Sequence, residues 1–288
     1  MGAEAGLVLA GGRSSRMGTA KAGLEWHGST LLRRVTLVVG RAVGGPVAVV
    51  RAPGQELPDL DPSVIVLDDP AEGLGPLQGL AVGLRSASEW AETAFVCSTD
   101  LPFLHVAFVR AVMARFGNQD SADADGPDVV LPVVHGFQQP MAAGYRTDLY
   151  PRVERLVAEG RLRPAFLFDE VRVARIQEAD LLADPTLAGG DPGLDSVLNV
   201  NAPQDYQDAR ARPAPDIVVE RFGVLASGGE RGPRRVRAAT LAEAARAVGL
   251  ALDRHVVAAV NGDQIGRDGH LPLVSGDTVS FISADAGG

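Results

Sequence analysis

Apolar positions are distributed in two alternating patterns over the first two thirds of the chain. Short, β-branched-rich runs at residues 7–10, 47–50, 64–67, 95–97 and 129–134 have the length and composition of buried strands. Between them, residues 31–39, 77–84 and 106–116 place apolar side chains at three- and four-residue spacing, the signature of helices with one buried stripe. Strand followed by helix, repeated, predicts an α/β domain: a mostly parallel, doubly wound, Rossmann-like sheet whose ligands bind beyond the carboxyl ends of the strands. The polar stretch 117–127 is expected to be a mobile surface loop.

The pattern changes near Arg212-Pro213-Ala214-Pro215, where proline and alanine suit a short, stiff linker. Beyond it, residues 217–224 and 234–238 read as a hairpin around a glycine-rich turn at 228–232. A helix at 241–248, a strand at 256–260, a turn at Asn261-Gly262-Asp263 and a last strand at 278–283 follow. The expected division is a first domain at 1–211, a linker at 212–216 and a smaller α+β domain at 217–288. No internal repeat relates the two.

At 288 residues the chain exceeds the usual single-domain size of roughly 100 to 200, which agrees with two cores. Hydrophobic residues at 46% and charged ones at 22% are ordinary for a soluble protein, and no apolar run spans a bilayer. Residues 1–5 lack a basic segment, so no signal peptide, no membrane association and a cytoplasmic location are expected. Cys97 is the one cysteine, which excludes an intramolecular disulfide and multi-cysteine zinc sites, and its apolar neighbours predict a buried strand position. With 27 basic against 36 acidic side chains, a net charge of −9 disfavours nucleic acid as a partner. Residues 5–24 run against that balance, since they hold Arg13, Arg16 and Lys21 and no acid.

This basic stretch is a candidate anion site. Leu9-Ala10-Gly11-Gly12-Arg13-Ser14-Ser15-Arg16-Met17-Gly18, with Lys21 three residues on, leaves the first strand and turns at glycines. Glycines let backbone N–H groups approach a polyphosphate, while arginine and lysine offset its charge. The spacing matches neither GxGxxG nor GxxxxGK[ST]. Farther on, Cys97-Ser98-Thr99-Asp100-Leu101-Pro102 sets a carboxylate at a strand tip, suited to hold Mg2+ or to cap the next helix. In Asn199-Val200-Asn201-Ala202-Pro203-Gln204-Asp205-Tyr206, an asparagine carbonyl is suited to be a second oxygen ligand or a helix cap, with Pro203 in the first turn of a helix.

The first of these strings resembles the molybdenum cofactor nucleotidyltransferase family, whose signature is LAGGxSxRMGxxK. Asp68-Asp69-Pro70 with Gly75-Pro76-Leu77, the CSTDLP string, the NVNAPQDY string and Gln139-Pro140-Met141 are similar to further motifs of that family. The resemblance implies nucleotide contacts at Leu9, Ala10, Gly11, Gly12, Arg13, Lys21, Asp69 and Asp100. It implies a catalytic set of Arg16, Lys21 and Asp100, magnesium on Asp100 with Asn201, and an acceptor-side contact at Gln139–Met141. Gly11 beside Gly12 favours GTP over other nucleoside triphosphates. Arg51 stands where guanine-using members can carry asparagine, and Thr19 and Ala20 stand where an aspartate often precedes the lysine, so CTP, another acceptor or a non-catalytic scaffold stay open. The implied reaction is transfer of GMP to molybdopterin or molybdenum cofactor with release of pyrophosphate.

Residues 217–288 resemble the β-grasp, ubiquitin-like sulfur carriers of the molybdopterin-synthase small-subunit and thiamine types. The resemblance rests on element order, the turn at 260–262, Ser275-Gly276-Asp277-Thr278-Val279 and Ala286-Gly287-Gly288. It implies a thiocarboxylate on Gly288 beside Gly287, with a sulfur-carrier adenylyltransferase and the molybdopterin synthase large subunit as partners. A docking module that carries no sulfur is the alternative.

Overall fold

The computed structural model describes residues 3–11, 21–70, 73, 75–117, 126–226, 232–266 and 268–284. Of the expected site residues, Gly12, Arg13, Arg16, Gly287 and Gly288 lie outside the described set, as do most of the loop at 117–127 and of the turn at 228–232. The chain divides into two compact units, one of residues 1–24 and 30–206, the other of residues 25–29 and 207–288.

The first unit is built on an eight-stranded sheet. Its strands are β1 (Glu4–Leu9), β2 (Val47–Arg51), β3 (Ile65–Asp68), β4 (Thr93–Ser98), β5 (Val129–Val134), β6 (Phe137–Gln138), β7 (Ala142–Arg146) and β8 (Val173–Gln177). The order is β8-β5-β7-β4-β1-β2-β3, with β6 paired to β5. Pairs β1/β2, β2/β3, β1/β4 and β5/β8 are parallel, so the sheet is mostly parallel. β7 is the exception, running antiparallel between β4 and β5.

Both faces of the central strands are covered, which is why their sequences are unbroken apolar runs rather than alternating ones. Gly6 faces one side: a Cβ there would lie 2.4 Å from Val39 on α1 (Leu31–Val43). Leu7 and Leu9 face the other, against Gly83 and Gly79 of α2 (Pro76–Ala87). On that face α2 packs with α4 (Tyr150–Ala158), while α1 packs with α3 (Val106–Met113). Helix starts follow local chemistry. The Thr30 hydroxyl accepts from the Arg33 N–H to cap α1, and Gly44 at φ 64° ends it in the left-handed conformation.

The chain lays down β1, β2 and β3 in one direction and then returns, setting β4 on the other side of β1. That reversal opens a crevice at the carboxyl ends of β1 and β4, which are level, Leu9 opposite Ser98. Cys97 lies inside β4 with no exposure, and burial pushes its thiol pKa far up, so it is a packing residue.

The second unit has a five-stranded sheet of its own: β9 (Asp216–Arg221), β10 (Arg234–Arg237), β11 (Val256–Val260), β12 (Asp263–Ile265) and β13 (Thr278–Ser283). The order is β10-β9-β13-β11-β12, with the first and last strands parallel at the centre and the other pairs antiparallel. A helix at Leu241–Ala247, capped by the Thr240 hydroxyl, sends Leu241, Ala244 and Ala245 into a core with Val219, Ala258 and Phe281. Residues 25–29 join this unit through the buried Trp26, whose indole N–H donates to the Ala209 carbonyl at 3.0 Å.

Candidate active site

Three segments far apart in sequence meet beyond the carboxyl ends of β1 and β4. Lys21 opens a short 3-10 turn at Lys21–Gly23. Its ammonium donates to Asp100 Oδ2 at 2.7 Å and to Asn201 Oδ1 at 2.9 Å. The Lys21 and Asp100 side chains are 20% and 14% exposed, so their charges are partly withdrawn from water yet reachable by a ligand.

Each partner is held from behind. The Ser98 hydroxyl donates to Asp100 Oδ1 at 2.5 Å, leaving Oδ2 to the lysine. The Val200 N–H donates to the Asp100 carbonyl at 3.0 Å, which fastens the asparagine segment to the strand-tip loop. Asp205 Oδ2 accepts from the backbone N–H of Asn201 and Ala202 at 2.9 and 2.8 Å, ahead of the helix Pro203–Ala211. Those two hydrogen bonds, with a smaller contribution from the Lys21 charge, lower the Asp205 pKa. On the far side of the loop, the buried Arg34 of α1 donates from Nε to the Pro102 carbonyl at 2.7 Å.

Beside this cluster runs the glycine turn. Ala10 and Gly11 N–H both donate to the Val50 carbonyl, at 2.8 and 3.2 Å, so the ladder between β1 and β2 continues past the strand ends. The Gly11 N–H, expected from the sequence to face phosphate, is therefore spent inside the protein. Glycine suits the close approach there instead: a Cβ would sit 3.2 Å from the Ala52 nitrogen. The Leu9 carbonyl accepts from the Thr99 hydroxyl at 3.2 Å and the Ala10 carbonyl from Gln55 Nε2 at 3.0 Å.

Asp69 lies farther out. It follows β3, its N–H donating to the Arg51 carbonyl at 2.8 Å, and β3 is two strands from β1. Asp68, the neighbouring carboxylate, accepts from Arg51 Nε at 2.7 Å, and that hydrogen bond raises the Arg51 pKa. Gln139, Pro140 and Met141 lie next to β4, since the Ser98 N–H donates to the Met141 carbonyl at 3.2 Å.

Lys21, Asp100 and Asn201 are thus brought together, with Leu9, Ala10 and Gly11 alongside. Sequence reasoning gave no role to Ser98, Asp205, Gln55 or Arg34. Asp205 had a signal, a carboxylate four residues after an asparagine at a helix start; Gln55 and Arg34 had none. Among the described residues no group of three or more His, Cys, Asp or Glu could hold a metal. The donor set nevertheless suits one hard cation: a carboxylate oxygen and an amide oxygen converge on a single positive charge, here the lysine ammonium.

A family model described as the MobA-like NTP transferase domain matches residues 6–173. A Mycobacterium tuberculosis protein named "Probable molybdenum cofactor guanylyltransferase" is 42% identical over 179 residues, covering 61% of this chain and 84% of its own. A Mycobacterium marinum protein of the same name matches at the same identity and coverage. Among solved structures, the molybdopterin-guanine dinucleotide biosynthesis protein A from Archaeoglobus fulgidus aligns over 72% of this chain and 96% of its own, with a TM-score of 0.53 at 19% identity, a likeness of fold. The chain belongs to the MobA-like NTP transferase family and is a nucleotidyltransferase.

Proposed function

We propose that the first unit transfers GMP from GTP to the terminal phosphate of molybdopterin, releasing pyrophosphate. The observation that carries this reading is the convergence of Lys21, Asp100 and Asn201 at the strand reversal, in a family whose relatives bear the guanylyltransferase name. An acceptor phosphate is already ionised at neutral pH, so it attacks the α-phosphorus without a general base, and the bond to the β-phosphate breaks. What remains is to hold two anions in line, an effect worth roughly 7 to 11 kcal/mol of barrier. Lys21 meets the phosphate charge, with Arg16 and Arg13 as further cations. Leu9, Ala10, Gly11 and Gly12 line the nucleotide, and Asp69 contacts it. Asp100 and Asn201 would hold Mg2+, which when bound offsets charge on the phosphates.

The test uses the full chain with Mg2+, molybdopterin and either GTP or CTP. Molybdopterin guanine dinucleotide and pyrophosphate from GTP are expected. Equal turnover of CTP would favour the cytidylyl alternative, and no product from either would end the reading.

For the rest of the chain the proposed division is a nucleotidyltransferase domain at 1–211, a linker at 212–216 and a β-grasp domain at 217–288. The central parallel pairing of first and last strands supports the β-grasp reading. On that reading Gly288, next to Gly287, carries a thiocarboxylate supplied through a sulfur-carrier adenylyltransferase and used with the molybdopterin synthase large subunit. Intact mass after incubation with such an enzyme, ATP and a sulfur donor should rise by one oxygen-to-sulfur exchange. An unchanged mass would reduce the domain to a docking module.

A further inference from the structure

The hairpin β5–β6 is not used by the phosphate chemistry, yet it stands on the same edge of the sheet. Gly144 of β7 faces Phe95 of β4 on one side and Val130 of β5 on the other, so those two residues are level. Followed along the parallel strands, Ser98 at the end of β4 is level with Val133, and Val133 pairs with Gln138. β8 occupies the outer edge of β5 as far as Val133, so β6 lies on the inner edge, in line with β7. Phe137, next to Gln138 in the hairpin, therefore stands at the carboxyl edge of the sheet, past the level at which β4 ends.

The hairpin holds this position firmly. His135 and Gly136 both have positive φ, 53° and 78°, as a two-residue turn matched to strand twist requires. The His135 N–H donates to Glu178 Oε1 at 2.6 Å, and Gln139 Nε2 reaches the carbonyls of Val134 and Phe137 at 3.4 and 3.3 Å. Between the pairs Val130/Gly144 and Val133/Gln138, β5 advances three residues while the facing chain advances six. The surplus forms a bulge at Gln139–Met141 that re-aims the hairpin next to the strand tip. On this fixed mount Phe137 is 72% exposed, the most exposed large apolar side chain among the described residues.

We infer that Phe137 is a stacking platform for the acceptor: it takes the flat heteroaromatic ring of a molecule whose phosphate reaches the Lys21–Asp100 cluster. An exposed phenyl beside a phosphate site offers a π-face to such a ring, while the ring's polar edge stays in water. The inference rests on the acceptor proposed above.

The test uses the full chain, Mg2+, GTP and molybdopterin. Phe137→Ala should raise the acceptor KM roughly ten- to a hundredfold, the range of one lost ring-on-ring stack. The KM for GTP and the melting temperature should stay as in the wild type, and Phe137→Tyr should restore the acceptor KM. Phe137→Trp should gain an emission component over the native tryptophans that molybdopterin alone quenches, a readout independent of turnover. An unchanged acceptor KM in Phe137→Ala, or a change shared equally by GTP, overturns the inference and leaves the transferase reading intact. Loss of self-association in Phe137→Ala with an unchanged acceptor KM would make Phe137 a protein contact and overturn it as well. If the wild type forms no product, the transferase reading fails, and quenching of Phe137→Trp decides the platform by itself.

Discussion

Lys21 and Asn201 are separated by 180 residues, and only their meeting at Asp100 turns three ordinary polar side chains into a site. Asp100→Ala removes the carboxylate on which the other two are arranged. With Mg2+, GTP and molybdopterin, kcat should fall by roughly 10²- to 10³-fold, whereas circular dichroism should match the wild type. Asp205 acts one step back, holding the backbone of Asn201 rather than a ligand. Asp205→Asn keeps the shape but weakens both acceptor bonds, so a smaller loss, about three- to tenfold in kcat, is expected, and Asp205→Glu should recover part of it. Part of this cluster was legible in the sequence: Lys21 after a glycine turn and a carboxylate at a strand tip stand out by residue type, while the choice of Asn201 came from the family resemblance. Ser98, Gln55 and Arg34 were not legible. Each acts through one hydrogen bond across the fold, and no local pattern marks which serine, glutamine or arginine will be the one to face the loop.

Among the elements, the strands that sequence patterning located were those with β-branched runs. β7 escaped it: Ala142-Ala143-Gly144-Tyr145-Arg146 has no β-branched residue, and its glycine is there because a Cβ would lie 2.6 Å from Phe116. Its antiparallel course is set by pairing with strands on both sides rather than by its own preference. β8 opens with Val173 and has only one buried residue, Ile176, so its apolar signal is weak too. What registers β8 on β5 is a reciprocal lock at their starts. Asp128 and Arg172 exchange backbone and side-chain hydrogen bonds at 2.8 to 3.2 Å, and chiefly the side-chain bond lowers the Asp128 pKa. A carboxyl whose folded pKa lies below its unfolded value of about 3.9 stabilises fully above that pH and loses the effect as pH falls through the lowered folded value. Asp128→Asn should therefore cost about 1 kcal/mol at pH 7, measured by urea unfolding, with the difference from wild type closing under strongly acidic conditions. Tight approach elsewhere has a larger price in stability. A Cβ on Gly45 would come within 2.1 Å of the Glu4 carbonyl oxygen, a backbone atom that cannot swing aside. Gly45→Ala should lose about 3 kcal/mol, visible as a lowered melting temperature.

On the scale of the whole molecule, the core built on β1, β4 and α2 has no residue in common with the core built on β9, β11, β13 and the helix Leu241–Ala247. The change of composition near residue 212 made two cores legible. It could not show that residues 25–29 belong with the second, because a five-residue segment inside an α/β pattern carries no label of its destination. That allocation has a spectroscopic consequence. The chain contains two tryptophans, and they fall one to each unit: Trp90 packs against the core of the first, and Trp26 is a buried residue of the second, bonded to the Ala209 carbonyl. With Trp26→Phe and Trp90→Phe as a pair of single-fluorophore proteins, denaturant titration reports each unit's melting separately. Two midpoints are expected where the native protein gives one blended curve, and coincident midpoints would mean that the units unfold as one.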